Sequence, residues 1–168
     1  MEIRTLPDFL INQIAAGEVI ERPAFIIKEL VENAIDAKAT EINIIVKDAG
    51  KKEIIVSDNG IGMTSDQLKL CIKRHATSKL PNNNLNDISF LGFRGEALPS
   101  IASISELKIE SCRKDLNEGW CIKLKNNQVT QFSPSPIKIG TKIIVNNVFK
   151  NVPARLKFLK SNQVENKN

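Results

Sequence analysis

The sequence predicts a single α/β domain, and three observations carry that reading. Helical periodicity dominates the first stretch of the chain, an alternating apolar hairpin interrupts it at 42–56, and strand-like alternation takes over from Leu107 onward. No internal repeat or composition shift divides the 168 residues, and a chain of that length buries roughly 70% of the surface its unfolded form exposes.

The elements follow in order. Apolar spacing predicts a helix from about Asp8 to Gly17 and a longer one from Pro23, which suits a first helical position because it has no N–H to lose. At 100° per residue the second helix gathers Ile26, Ile27, Leu30, Val31, Ala34 and Ile35 on a core face, and Lys28, Glu29, Glu32, Asn33 and Asp36 on the other. Ile42, Ile44 and Val46 alternate, Ala49-Gly50-Lys51 turns, and Ile54-Ile55-Val56 returns, so a β-hairpin delivers Asp58 at a strand end. A helix is expected over Thr64 to Lys73, then an Asn- and Pro-rich loop at Pro81 to Asn86, then a helix from Gly95 to Ile104. This middle third is expected to be mobile. Strands at Leu107 to Cys112, Cys121 to Leu124, Val129 to Phe132 and Lys142 to Val145, with a turn at Asn126-Asn127, read as a closing meander. A short helix near Ala154 to Leu159 ends the domain, and the polar segment Ser161 to Asn168 is expected to be an unanchored tail at a truncation point.

Composition removes several function classes. Hydrophobic residues make up 42% and charged residues 26%, an ordinary globular balance. No apolar run approaches the roughly 18 to 20 residues that span a bilayer, and MEIRTLPDFL lacks the pattern of a signal peptide, so no membrane role and an intracellular location are expected. Cys71, Cys112 and Cys121 form no CxxC pair, which points to core fillers rather than a disulfide framework or zinc site. The net charge of +5 permits weak attraction to nucleic acid, but with seven Phe, one Trp and no Tyr there is little material for base-stacking platforms.

Four segments suggest a ligand site, although GxxxxGK[ST], GxGxxG after a strand, and the HRD and DFG pairs are all missing. In Glu29-Leu-Val-Glu-Asn33-Ala-Ile-Asp36-Ala, Glu29 and Asn33 stand one helical turn apart and can approach the same ligand. The Asn33 amide oxygen suits a hard ion such as Mg²⁺, and the Glu29 carboxylate can take a proton from an attacking water; a solvated polar face is the plainer alternative. Asp58-Asn-Gly60-Ile-Gly62-Met63 places a carboxylate beside glycines that admit a flat ligand, so Asp58 can accept from adenine's exocyclic amine; on its own, DNG also reads as a simple turn. Gly92-Phe93-Arg94-Gly95-Glu96-Ala97-Leu98 reads as a glycine-flanked turn opening a helix, whose unpaired N–H groups and dipole favour phosphate. Thr141, after Gly140, can supply a hydroxyl near the base or be an ordinary strand residue. Thr77, Ser78 and Lys79 are candidates for phosphate or lid contacts, and the lone His75 fits a lid or surface residue better than a metal ligand.

In their order, these segments resemble the nucleotide-binding motifs of the GHKL superfamily, which groups gyrase B subunits, large heat-shock chaperones, histidine kinases and MutL mismatch-repair proteins. The likeness narrows to the MutL branch through Ile11-Asn-Gln-Ile-Ala-Ala-Gly-Glu-Val-Ile-Glu-Arg-Pro23, LVENAIDA, Arg-His-Ala-Thr-Ser-Lys79, GFRGEAL and Val152-Pro-Ala-Arg-Leu-Lys-Phe-Leu159, nearly the whole chain. The resemblance implies a Bergerat-type two-layer α/β sandwich, helices on a mixed, largely antiparallel sheet, spanning 1–160. Within it, 1–22 would be an N-terminal arm crossing to a partner subunit and about 71–98 an ATP lid.

The implied cofactors are ATP and Mg²⁺. Glu29 resembles the general base, Asn33 the Mg²⁺ ligand and Asp58 the adenine-recognising carboxylate, with Gly62 beside it and Thr141 supporting. Asp36 and Met63 lie in the same motifs and count among the nucleotide-binding positions. Lys79 and Gly92 to Leu98 resemble the lid and its phosphate-binding backbone. The implied activity is slow, Mg²⁺-dependent ATP hydrolysis in a mismatch-repair mediator, in which ATP orders the lid, closes a homodimer and links a MutS-type mismatch sensor to a downstream nuclease or helicase. DNA would be held weakly and non-specifically, and the location would be cytoplasmic, nucleoid-associated and bacterial.

In this family a lysine from a following domain reaches the terminal phosphate. The sequence ends before such a domain, so turnover is expected to suffer more than binding. Two other readings stand beside this one: a different GHKL member such as a topoisomerase subunit or histidine kinase, and a module that binds without catalysis.

Overall fold

A computed structural model describes residues 5–74, 76, 95–159 and 161–165. Helices α1 (Asp8–Val19) and α2 (Pro23–Asp36) precede strand β1 (Ile42–Lys47), a 3-10 turn (Asp48–Gly50), β2 (Glu53–Asp58) and α3 (Ser65–Leu70). Helix α4 (Ala97–Ile104), strands β3 (Glu106–Cys112), β4 (Gly119–Lys125), β5 (Gln128–Pro134) and β6 (Gly140–Asn146), and the short helices α5 (Pro153–Phe158) and α6 (Asn162–Glu165) follow. The strands form one sheet in the order β1-β2-β6-β3-β4-β5, and every described pairing is antiparallel. The expected closing meander holds only for β3-β4-β5. Strand β6 returns past β4 and pairs with both β2 and β3, joining the early hairpin to the late strands.

The hairpin also fixes α2. Pro23 starts the helix where a side chain on Gly50 would press on it, the distance from an added Cβ being 2.6 Å, and Gly50 sits at φ +79° in the hairpin turn. At the other end, Ile61 N–H donates to the Ala37 carbonyl at 2.9 Å, and Gly60 leaves no space for a side chain against Ala37. A helix of 14 residues runs about 21 Å and a six-residue strand about 20 Å, so the two ends of β2 meet the two ends of α2.

Period-2 alternation turns Ile54 and Val56, Ile143 and Val145, Leu107 and Ile109, and Ile122 and Leu124 to one face of the sheet, where Ile20, Ile26, Leu30, Ile101 and Ile104 of the helical layer cover them. Each fully buried Leu or Ile contributes roughly 1.5–3 kcal/mol. Helix α4 is buried from Pro99 through Ile104 and packs against α1, where Ala16 and the C-cap residue Ile20 are inaccessible. Asn126 and Asn127 both take positive φ, 52° and 60°, in the tight β4–β5 turn, as their types allow.

Two expectations are corrected. Ile35, assigned to the core face of α2, is 48% exposed, because the buried stripe Pro23-Ile26-Leu30-Ala34 is narrow and Ile35 lies 100° round the helix from Ala34. Residues 162–165 are anchored: Asn162 of α6 accepts from Lys51 Nζ at 2.8 Å and donates to the Asp48 carboxylate, and Glu165 is buried.

Candidate functional site

One register row crosses the core face of the sheet and differs from the rows beneath it. Ile42 stands opposite Asp58, Asp58 opposite Thr141, Thr141 opposite Ser111, and Ser111 opposite Trp120. Directly opposed residues share a face, so Asp58, Thr141 and Ser111 cap the apolar columns that end in Val56, Ile143 and Ile109. Three central strands thus exchange hydrocarbon for oxygen at the same level.

Asp58 is held by the loop it opens. Its Oδ1 accepts from Gly60 N–H at 2.8 Å, and the backbone of Thr141 also hydrogen-bonds the carboxylate. Partial burial nevertheless pushes its carboxyl above the usual aspartate range, with both backbone bonds pulling the other way. Asn59 turns outward to tie down the chain leaving α2, its Oδ1 accepting from Thr40 N–H at 2.9 Å and Glu41 N–H at 3.0 Å. Gly62, at φ +68°, lies where any Cβ would collide with the Cys112 carbonyl, so the loop runs flat against the end of β3. Beyond it Thr64 starts α3 with a capping box, reciprocal bonds between Thr64 and Gln67 at 3.0 and 3.2 Å.

Helix α2 ends against the same loop, its Ala37 meeting Gly60 and Ile61. Glu29, Asn33 and Asp36 are all partly buried, unlike Lys28, which is exposed. Lys28 Nζ lies 3.0 Å from Glu32 and 3.6 Å from Glu29, and the bond to Glu32 first, with the two carboxylates' attraction, raises its pKa. Since Ala37 abuts Gly60 and Ile61, Asn33 lies about 6 Å and Glu29 about 12 Å back along the helix from the Asp58 loop.

Residues 76 and 95 come together. Gly95 takes φ +62°, and a Cβ there would stand 2.6 Å from the Ala76 carbonyl oxygen, while Arg74 Nε lies 3.7 Å from Glu96 Oε2. Glu96 is the N-cap of α4, with Ala97 and Leu98 in the first turn, and makes no side-chain capping bond to it. Helix α4 also touches α2. The expectations for Thr77, Ser78, Lys79, Gly92, Phe93 and Arg94, and for His75, fall outside the described residues.

The family described as Histidine kinase-, DNA gyrase B-, and HSP90-like ATPase matches residues 21–155. The chain belongs to that ATPase family. This GHKL chain is 53% identical to the DNA mismatch repair protein MutL of Azorhizobium caulinodans, over 98% of its own length and 26% of that protein's. It is 54% identical to MutL of Streptococcus uberis, again over 98% of this chain and 25% of the relative. The chain thus spans about a quarter of the length of these curated relatives. Among solved structures, the Aquifex aeolicus MutL ATPase domain complexed with ADP superposes with a TM-score of 0.71 at 33% identity, covering 89% of this chain and 52% of that one. The N-terminal domain of a DNA repair protein gives 0.73 at 32% identity over 88% of this chain and 42% of that chain. The two-layer sandwich of helices on a sheet is thus the GHKL ATPase fold in the form that MutL proteins carry.

Sequence reasoning missed one residue of the polar row. Ser111 is fully buried and is the hub of the polar row: its Oγ accepts from Met63 N–H at 2.8 Å, donates to the Gly140 carbonyl at 3.0 Å and lies 2.9 Å from Thr141 Oγ1. The only sequence signal was a serine at the inward end of the alternation Leu107, Ile109, Ser111.

Proposed function

We propose that this chain is the ATP-binding and slowly ATP-hydrolysing domain of a MutL-like DNA mismatch-repair protein. The observation that carries the proposal is the row Asp58–Thr141–Ser111 at one end of the core face, with the oxygen-rich face of α2 running away from it. In this reading adenine lies beside the Asp58–Gly62 loop, which Gly60 and Gly62 let pack closely on Ala37 and the Cys112 carbonyl, and Asp58 accepts its exocyclic amine. Met63 and Asp36 border the nucleotide. The phosphates extend along α2 toward Gly95, Glu96, Ala97 and Leu98, at the start of α4, where the positive end of the helix dipole favours anions. Thr77, Ser78, Lys79, Gly92, Phe93 and Arg94 complete the phosphate contacts in the segment that serves as lid.

Glu29 and Asn33 present oxygen donors only, the set that a hard Mg²⁺ takes, and among the described residues no cluster of three or more His, Cys, Asp or Glu stands ready to hold a metal by itself. Asn33 would hold the ion jointly with phosphate oxygens and water; when bound, Mg²⁺ would offset charge on the phosphates. Glu29, lying alongside, takes the proton of the water that attacks the terminal phosphate.

The same likeness supports the wider role. ATP orders the lid and the arm of residues 1–22, which crosses to a second copy, closes a dimer, and signals from a MutS-type sensor to a nuclease or helicase, with DNA held weakly and the protein working in the cytoplasm. A ligand drives such closure only by favouring the closed state differentially, which the terminal phosphate does where ADP does not. No described helix is long and apolar enough to cross a membrane.

Calorimetric titration with a non-hydrolysable ATP analogue, with and without Mg²⁺ and with GTP as competitor, tests the proposal. Saturable, Mg²⁺-dependent binding that GTP does not displace is expected. Equal competition by GTP would remove the adenine assignment.

A further inference from the structure

The hydrogen bonds of Ser111 leave only one arrangement of hydrogens in which every partner is satisfied. A serine hydroxyl has one hydrogen and two lone pairs. Met63 N–H can only donate, so it occupies one lone pair; the Gly140 carbonyl can only accept, so it takes the hydrogen. Thr141 Oγ1, 2.9 Å away, must then donate into the second lone pair. The alternative, with Ser111 donating to Thr141, strips the Gly140 carbonyl of this bond at a fully buried hydroxyl. Thr141 is only 8% exposed, so bulk water does not scramble its hydroxyl.

From this we infer that Ser111 is a positioning residue that sets the polarity of Thr141, and that the pocket is thereby tuned to purines carrying a 6-amino group. With its hydrogen spent on Ser111, Thr141 offers lone pairs only toward the ligand. Asp58, opposite it on β2, also accepts only once ionised. The two neighbours together form an acceptor-only edge. A 6-amino group brings two N–H donors to that edge, directly or through a bridging water, whereas a 6-oxo group meets acceptors with an acceptor. A site built to hydrogen-bond one group rejects the analogue that leaves its own polar atoms unpaired. The inference rests on the proposal that the base lies against Asp58.

The test compares ATP with inosine triphosphate, which carries a 6-oxo group and an N1–H in place of the 6-amino group and bare N1, in titrations of the folded wild-type chain, Ser111→Ala, Thr141→Val and the double variant. Removing the Ser111 hydroxyl frees Thr141 to rotate and donate. The ATP-over-inosine preference is expected to fall about three- to tenfold in Ser111→Ala. No further fall is expected on adding Ser111→Ala to Thr141→Val, which has no hydroxyl to orient. A merely structural role for Ser111 would weaken both nucleotides alike; an unchanged ratio therefore overturns the inference, as does an undiminished effect in the Thr141→Val background. If Ser111→Ala does not fold, Ser111→Cys keeps the volume with a weaker donor and acceptor and is read the same way. Asp58→Ala separates the two levels: unchanged ATP affinity in that variant sinks the base assignment itself, while weakened ATP binding with an unchanged Ser111→Ala ratio sinks only the role given to Ser111.

Discussion

Gly140 and Asp58 are in such close contact that a Cβ at Gly140 would collide with the Asp58 carbonyl oxygen. Gly140 sits at φ +119°, a conformation that side-chain-bearing residues rarely adopt, and it starts the strand that carries Thr141 to its place opposite Asp58. The approach of β6 to β2 at this level therefore depends on hydrogen in place of a side chain.

Gly140→Ala is accordingly expected to cost about 1–3 kcal/mol of stability and to weaken nucleotide binding by moving Thr141 relative to Asp58. Denaturant midpoints and an ATP-analogue titration check it. A variant as stable as wild type with normal affinity would show that β6 can yield at this point without consequence.

Asp58 makes a pH prediction whose sign is fixed by its surroundings. Burial raises its carboxyl above the ordinary aspartate value. A raised folded value means that its contribution to stability is fully present below the ordinary value and is lost as pH rises through the raised one. Asp58→Asn removes that loss, so its stability relative to wild type is expected to grow from acid toward neutral pH. Nucleotide affinity of wild type moves the opposite way to its own stability, strengthening as the carboxylate forms. Paired melts and titrations across about pH 3 to 7 decide this, and a stability difference that is flat or shrinks would reject it.

Asp58→Ala should weaken ATP binding at least about tenfold near neutral pH, the loss expected when a charged acceptor is removed. Direct calorimetry is the measurement, and normal affinity would place the adenine elsewhere.

Glu29→Ala should bind ATP with near-normal affinity and release phosphate about 10² times more slowly or worse, because a general base contributes to the hydrolytic step and little to the ground state. Steady-state phosphate release at saturating ATP, beside a binding isotherm, separates the two. Unchanged turnover would end the assignment.

Cys71 donates its Sγ hydrogen to the Leu68 carbonyl at 3.2 Å, and burial pushes its thiol up to about 12. Only the thiolate reacts with alkylating agents. Cys71 is therefore expected to label in the native chain at mildly alkaline pH orders of magnitude more slowly than in denaturant. Mass spectrometry of alkylated peptides would show it, and fast native labelling at Cys71 would contradict the burial.

What the sequence determined by itself is local. Pro23 at a helix start, the alternation of β1 and β2, Asp58 at a strand end, the Asn126-Asn127 turn and the order of the motifs are properties of neighbouring residues, and these sufficed for the family. Period and propensity say which residues share a face. They do not say which strand will lie beside that face. The place of β6 between β2 and β3 was decided by tertiary structure, because pairing Thr141 with Asp58 on one side and Ser111 on the other joins residues 83 and 30 positions apart in the chain. The same holds for Ser111, an unremarked serine in sequence and a saturated hydroxyl in space, and for Ile35, whose side of α2 has no described element to cover it. Hydrogen bonds and burial depend on what long-range contacts bring together, and so the polar row at the end of the core came into view only with the fold.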